Sequence, residues 1–149
     1  MSTSELTALE ALGIAIRREI DAGQVFRDLA SGCGNALAAD RFVLLARESA
    51  QLEQLLRERY GALFPGVPLL LPPSAGPPPG LSAGPGPSAG LRAALRFAAD
   101  AERLAREFYL DAANAATELT GQAMFRYLAE IHARHQSELE AEYAVILQY

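Results

Sequence analysis

The sequence predicts an all-α protein, a four-helix bundle assembled from two copies of one helical hairpin. Three observations carry this prediction. The chain can be laid on itself at a constant offset of 83 residues without a gap. Four long stretches place apolar residues at alternating three- and four-residue spacing, with little of the period-two alternation that strands require. All nine prolines fall between Pro65 and Pro87, so the chain is interrupted between the two copies and nowhere inside them.

The repeat is specific in its rarer residues. Leu12, Ala15, Glu19, Ala22, Phe26, Asp28 and Ala30 fall on Leu95, Ala98, Glu102, Ala105, Tyr109, Asp111 and Ala113. The register survives a connection, after which Phe42, Leu45, Ala46, Ala50, Leu56 and Tyr60 fall on Phe125, Leu128, Ala129, Ala133, Leu139 and Tyr143. The first helix is expected from about Ser4 to Leu29, with Gly32 to Gly34 ending the run. Asn35 is the expected N-cap of a second helix reaching about Tyr60. A third runs from about Ser88 to Ala116, and Thr120 is the expected cap of a fourth that continues almost to Tyr149. The hairpins thus cover about 4–60 and 88–149, within a single domain of 1–149.

Between them, about 61–87 read as a Pro/Gly-rich crossover. Neither hairpin can bury its apolar stripe alone, so the two must pack on each other. A helix of about 25 residues is roughly 37 Å long, and an extended Pro-rich segment gains about 3 Å per residue. The connection can therefore run the length of the bundle and leave the second and third helices parallel. Short links within the hairpins and one long link between them form the connectivity of ferritin-like bundles. Val67, Leu69, Leu70 and Leu71 in the crossover are expected to pack on the bundle or on a second subunit.

Bulk properties exclude several classes. Half of the residues are hydrophobic, yet no apolar run approaches the roughly 20 residues that cross a bilayer. The start Met1-Ser-Thr-Ser-Glu has no basic segment followed by an apolar one, so no secretory signal is expected and the location is expected to be cytoplasmic. A net charge of −5 with scattered arginines offers no basic stripe for nucleic acid. The single cysteine, Cys33, has no intrachain partner and reads as a small turn residue.

Chemistry is concentrated on the core seams. The first helix presents Leu12, Ala15, Glu19, Ala22 and Phe26, and the third Leu95, Ala98, Glu102, Ala105 and Tyr109. The second presents Phe42, Leu45, Ser49, Leu52 and Leu56; the fourth presents Phe125, Leu128, His132, His135 and Leu139. Two glutamates and both histidines of the chain thus replace apolar residues at one level. A buried carboxylate is costly unless it is paired or bound to a cation. Glu19, Glu102, His132 and His135 are therefore candidate metal ligands, the alternative being a metal-free Glu–His network in the core. Tyr109 could hydrogen-bond to a carboxylate or touch a metal-bound oxygen species, but reads more simply as a core tyrosine with a satisfied hydroxyl. Asp28 and Asp111 read as local capping or solvating groups, and Glu138, Glu140 and Glu142 as a solvated face.

The stretch Ala15-x-x-x-Glu19-x-x-Ala22-x-x-x-Phe26, repeated as Ala98-x-x-x-Glu102-x-x-Ala105-x-x-Phe108-Tyr109, resembles the first and third helices of the rubrerythrin group of ferritin-like proteins. Phe42-x-x-Leu45-Ala46 and Phe125-x-x-Leu128-Ala129 resemble the lead-in to that family's Glu-x-x-His motifs. The resemblance implies a metal-binding protein of oxygen or peroxide redox chemistry, commonly a homodimer. In that family four carboxylates and two histidines hold two irons. Glu19 and Glu102 match the single glutamates of helices one and three. The fourth helix reads His132-Ala-Arg-His135, with histidine where a bridging glutamate would stand. The second reads Ser49-Ala-Gln-Leu52, which lacks both ligands, and Glu48 and Gln51 lie one residue out of register. A one-residue shift turns a side chain about 100° around a helix, so these would need a local shift to serve.

A conventional di-iron centre is therefore not expected. Glu102, His132 and His135 resemble a two-histidine, one-carboxylate set for one divalent metal, iron favoured, with zinc or manganese also suited. Glu19 is a fourth ligand or a hydrogen-bond acceptor for a ligating histidine. The chain has no Cys-x-x-Cys pair, so redox turnover would need an external electron donor. The alternatives are a metal-free bundle kept as an assembly or interaction module, and a binder of a small apolar ligand between the helices.

Overall fold

The structure, a computed structural model, describes residues 7–74 and 90–147. These form four helices, α1 (Ala8–Gly32), α2 (Ala36–Leu63), α3 (Gly90–Ala115) and α4 (Leu119–Leu147), and no strand occurs among the described residues. The expected start of α1 at Ser4 and of α3 at Ser88, and the end of α4 at Tyr149, lie outside the described residues, as does most of the Pro65–Pro87 stretch.

Local chemistry accounts for the termini. Thr7 caps α1, its hydroxyl accepting from the Glu10 amide at 3.2 Å and donating to the Glu10 carboxylate at 3.1 Å, a variant of the reciprocal capping pattern. Asn35 caps α2 as expected, accepting from the Ala38 amide at 3.0 Å. Gly34 turns the chain between α1 and α2 with φ 67°, a region that costs glycine nothing. Cys33 is the C-cap of α1, its amide donating to the Leu29 carbonyl.

Three boundaries differ from expectation. Helix α1 continues to Gly32, and α2 continues past Tyr60 to Leu63, so residues 61–63 are helical and the connection starts at Phe64. Helix α4 begins before Thr120. The Gln122 amide already donates to the Glu118 carbonyl at 3.0 Å, and the Gln122 side chain donates to the Ala116 carbonyl at 2.9 Å. The α3–α4 turn is thus closed by a side chain of the first helical turn, and Thr120 lies inside α4, exposed.

The core consists of two apolar clusters, each drawing on all four helices. One contains Leu12, Ile16, Leu56, Tyr60, Tyr109 and Leu128; the other contains Phe26, Phe42, Leu45, Leu95, Ala98 and Leu139. The first joins the start of α1 to the end of α2, the end of α3 and the start of α4. Helices α2 and α3 accordingly both start at the second cluster, and both end at the first.

The described part of the α2–α3 connection, residues 64–74, lies against α1. Tyr60 donates from its hydroxyl to the Pro68 carbonyl at 3.0 Å, and Arg17 Nε donates to the Pro72 carbonyl at 2.7 Å. A Cβ at Gly13 would lie 3.5 Å from the Leu70 carbonyl oxygen, in ordinary van der Waals contact, so this segment passes directly over α1. Leu69 and Leu71 pack on the core, whereas Val67 and Leu70 point to solvent. The expected packing therefore holds for Leu69 and Leu71 and not for Val67 and Leu70.

Candidate metal centre

Between the two apolar clusters lies a polar layer, built from the middle of each helix. Glu19 of α1, Glu102 of α3, and His132 and His135 of α4 are all at least 97% buried, and Ser49 of α2 is buried at the same level. The structure therefore brings together all four residues that the seams single out.

Glu102 is the hub. Its Oε2 lies 2.7 Å from His132 Nδ1 and 3.3 Å from His135 Nδ1. The other nitrogen of His132, Nε2, lies 2.9 Å from Glu19 Oε1. That same Oε1 accepts from the Tyr109 hydroxyl at 2.7 Å. Tyr109 also stacks on His132, with ring centroids 5.3 Å apart and planes 13° from parallel. The hydroxyl and the ring face of Tyr109 thus fix Glu19 and His132 together, so this buried tyrosine is a core residue whose hydroxyl bonds a carboxylate of the layer.

His135 is held differently. Its Nε2 is in ion-pair contact with Glu48 of α2, yet neither this contact nor that to Glu102 has hydrogen-bond alignment. Both ring nitrogens of a buried imidazole are left without a hydrogen-bond partner, as is Glu19 Oε2. Such groups are uncommon in protein interiors and call for an explanation.

Glu48 is the residue whose role the sequence pattern obscured. Helix α2 runs without interruption, and Ser49 and Leu52 keep their buried seam positions, so there is no local shift. Glu48 instead reaches His135 from the flank of the helix by the length of its side chain, which stays about one-third exposed. The usable signal is that Glu48 adjoins Ser49, a seam residue too short to reach the layer itself.

Electrostatics couple the layer. Burial opposes the charged form of His132, but the Glu19 and Glu102 carboxylates outweigh it and raise the pKa from 6.5 to about 10. As an imidazolium, His132 donates from both nitrogens and neutralises part of the carboxylate charge. Burial likewise works against ionised Glu102, but hydrogen bonding to His132 and its charge prevail and hold the carboxyl below its ordinary value. Burial, then the charge of Glu19, pushes the Tyr109 phenol well above its ordinary value, so it stays a proton donor.

Glu102, His132 and His135 each offer one ligand atom within 4.8 Å of the others, close enough for a single ion to draw on all three. The residues fit such an ion, since a cation can partner one ring nitrogen of His135 while a carboxylate partners the other. Other charged residues serve packing. Arg41 of α2 pairs across the bundle with Glu138 at 3.0 Å and Glu142 at 2.8 Å, so two members of the acidic run join α2 to α4 and are not merely a solvated face. Asp28 accepts from Gln24 at 2.8 Å on the exposed side of α1.

No protein-family model matches the chain, and no curated protein matches it. Among solved structures, the chain is similar to a hypothetical protein from Pyrococcus furiosus. The two share 29% identity, with a TM-score of 0.74, over 99% of this chain and 97% of that one. The likeness thus extends along the whole bundle, which is all-α and composed of four helices. Among the described residues no helix is long and apolar enough to cross a membrane.

Proposed function

We propose that this chain is a rubrerythrin-like, ferritin-like bundle that binds one divalent metal ion per chain and uses it in oxygen- or peroxide-linked redox chemistry. The observation that carries this reading is the buried set Glu102, His132 and His135, whose ligand atoms lie within 4.8 Å of one another. The common starting end of α2 and α3 supports the ferritin-like connectivity, because a long crossover between hairpins produces that arrangement. Glu102, His132 and His135 would hold the ion, with Glu19 and Glu48 beside them. Iron suits this set best, and zinc and manganese also suit it. When bound, an iron would supply one-electron and oxygen chemistry.

The chain's own groups prepare the site. The two apolar clusters exclude water from above and below. Tyr109 keeps a proton on the oxygen that faces Glu19, and Glu48, partly exposed, connects His135 to the surface of α2 and offers a route for proton exchange. Electrons would come from an external donor. Exposed Leu37, Val43, Leu44 and Leu55 on α2 support a homodimer, since burial of such a surface is favourable; light scattering that returns only one chain's mass at micromolar concentration would count against it.

Metal analysis of protein purified without added metal tests the main reading. One ion per chain is expected, and none in His135→Ala; two per chain would refute it. A specific observation favours a second reading. His132 is fully hydrogen-bonded between Glu19 and Glu102, as in a metal-free structural network. Wild-type protein that takes up no iron, zinc or manganese would establish that alternative, a bundle retained as an assembly or ligand-binding module.

A further inference from the structure

The two histidines share a pattern that assigns different work to the four helices. In each ring, Nδ1 faces Oε2 of the same glutamate, Glu102, at 2.7 Å for His132 and 3.3 Å for His135. In each ring, Nε2 faces a different carboxylate, Glu19 of α1 for His132 and Glu48 of α2 for His135. An imidazole cannot bring both nitrogens to one ion, because they point away from each other across the ring. One nitrogen must therefore face inward to the metal and the other outward to an acceptor.

We propose that His132 and His135 both ligate through Nδ1 to a metal shared with Glu102, while Glu19 and Glu48 accept from the two Nε2–H groups and are positioning residues, not ligands. This rests on the single-metal reading above. The inward nitrogens converge on one oxygen, whereas the outward ones diverge to separate helices. Glu19 Oε1 is already engaged by two donors, the Tyr109 hydroxyl and His132 Nε2. Although Glu19 Oε2 is buried without a partner, the ligand atoms that cluster within 4.8 Å of one another come from Glu102, His132 and His135. Glu48 is one-third exposed, so it can rotate into alignment with His135 Nε2 without disturbing the core. The ring planes stand at 88° with centroids 5.9 Å apart, so two imidazoles of the same helix, three residues apart, meet one ion without stacking. Carboxylates placed behind ligating histidines fix the tautomer and raise ligand basicity, and their removal weakens metal binding about 10- to 100-fold. Helices α3 and α4 thereby supply the ligands, and α1 and α2 orient them.

The test uses zinc(II), which is diamagnetic, and the tag-free chain, whose two histidines contribute only four ring nitrogens. Nitrogen-15 spectra of the zinc-loaded protein should show both Nδ1 atoms metal-bound and both Nε2 atoms protonated. Zinc affinity by competition titration should fall about 10- to 100-fold in Glu48→Ala and recover most of that loss in Glu48→Gln, whose amide oxygen still accepts from Nε2. Glu19→Gln should likewise remain close to wild type. Far-ultraviolet circular dichroism verifies the fold of each variant, and the spectra of the wild-type chain decide the matter should a variant not fold. Metal-bound Nε2 in either histidine would overturn the inference, as would an unchanged affinity in Glu48→Ala. A glutamine variant as defective as His135→Ala would make that carboxylate a ligand and overturn it too. A wild-type chain that binds no zinc, iron or manganese would remove the single-metal reading itself, which distinguishes the two failures.

Discussion

The hairpin of α1 and α2 brings Glu19, Ser49 and Leu52 to the middle of the bundle, whereas that of α3 and α4 brings Glu102, His132 and His135 to the same level. Their helices are similar in length and both hairpins bury apolar seams, yet their chemistry is unequal. On the first side small residues let the helices approach. A Cβ added at Gly23 would come within 3.8 Å of Ser49 Cβ and 3.9 Å of the Ala46 carbonyl oxygen. The residue 83 positions further on is Arg106, so this small-residue contact has no counterpart at that position of α3. On the second side imidazoles fill the layer and draw carboxylates from both hairpins. Two hairpins of one bundle can thus bury similar apolar seams while the candidate metal ligands concentrate in one.

That comparison can be broken most forcefully at Glu102, the acceptor shared by both histidines. Glu102→Ala leaves a buried imidazolium with half of its partners, and removal of one member of a buried ion pair costs about 3–5 kcal/mol. Urea unfolding of the metal-free protein should show a loss of that order, and metal should no longer be retained. A loss no larger than that of an exposed substitution would mean that the layer is solvated and the two sides do not differ as described.

A pH series sharpens the contrast without mutation. The pKa of His132 is raised in the folded state, from 6.5 to about 10. Its contribution to stability is therefore fully present below about pH 6.5 and is lost as pH rises towards 10. Glu102 is held below its ordinary value, so its contribution is present above about 4.5 and is lost as pH falls further. Urea midpoints of the metal-free chain should fall from pH 6 to pH 10, and His132→Gln should flatten that slope. Zinc affinity should move the opposite way, since a metal at His132 displaces a proton. A midpoint that rises with pH would contradict the assignment of charge.

Tyr109→Phe removes one donor to Glu19 and leaves the stack on His132 in place. A hydrogen bond to a charged acceptor contributes about 1.5–3 kcal/mol, and chemical denaturation should register a loss in that range. Ser49→Ala, on the side without donors, is the smallest perturbation. Metal content should stay at the wild-type value, and a drop would show that Ser49 itself takes part in binding.

Much of this architecture was legible in residue order. The three- and four-residue spacing identified the buried stripe of every helix, and at the layer it selected Glu19, Glu102, His132 and His135, all of which are buried. Asn35 declared its cap because a short side chain with an acceptor oxygen binds the amide three residues on. Thr120 misled because the α3–α4 turn is closed by Gln122, whose long side chain reaches back over a turn that spacing alone does not describe. Arg41 could not be matched with Glu138 and Glu142 before the angle between α2 and α4 was known.

Sequence by itself determined which faces are apolar, where the chain is interrupted and which polar residues share a level, because helical periodicity is a local property written every three to four residues. Tertiary structure alone decided which atoms meet. It directed Nδ1 of both histidines to Glu102 and their Nε2 atoms to Glu19 and Glu48, and it recruited Glu48 from outside the seam. The physical reason is reach. A glutamate on the flank of a helix can extend over a small neighbour such as Ser49, and whether it finds a partner depends on the distance and rotation of a helix more than eighty residues away.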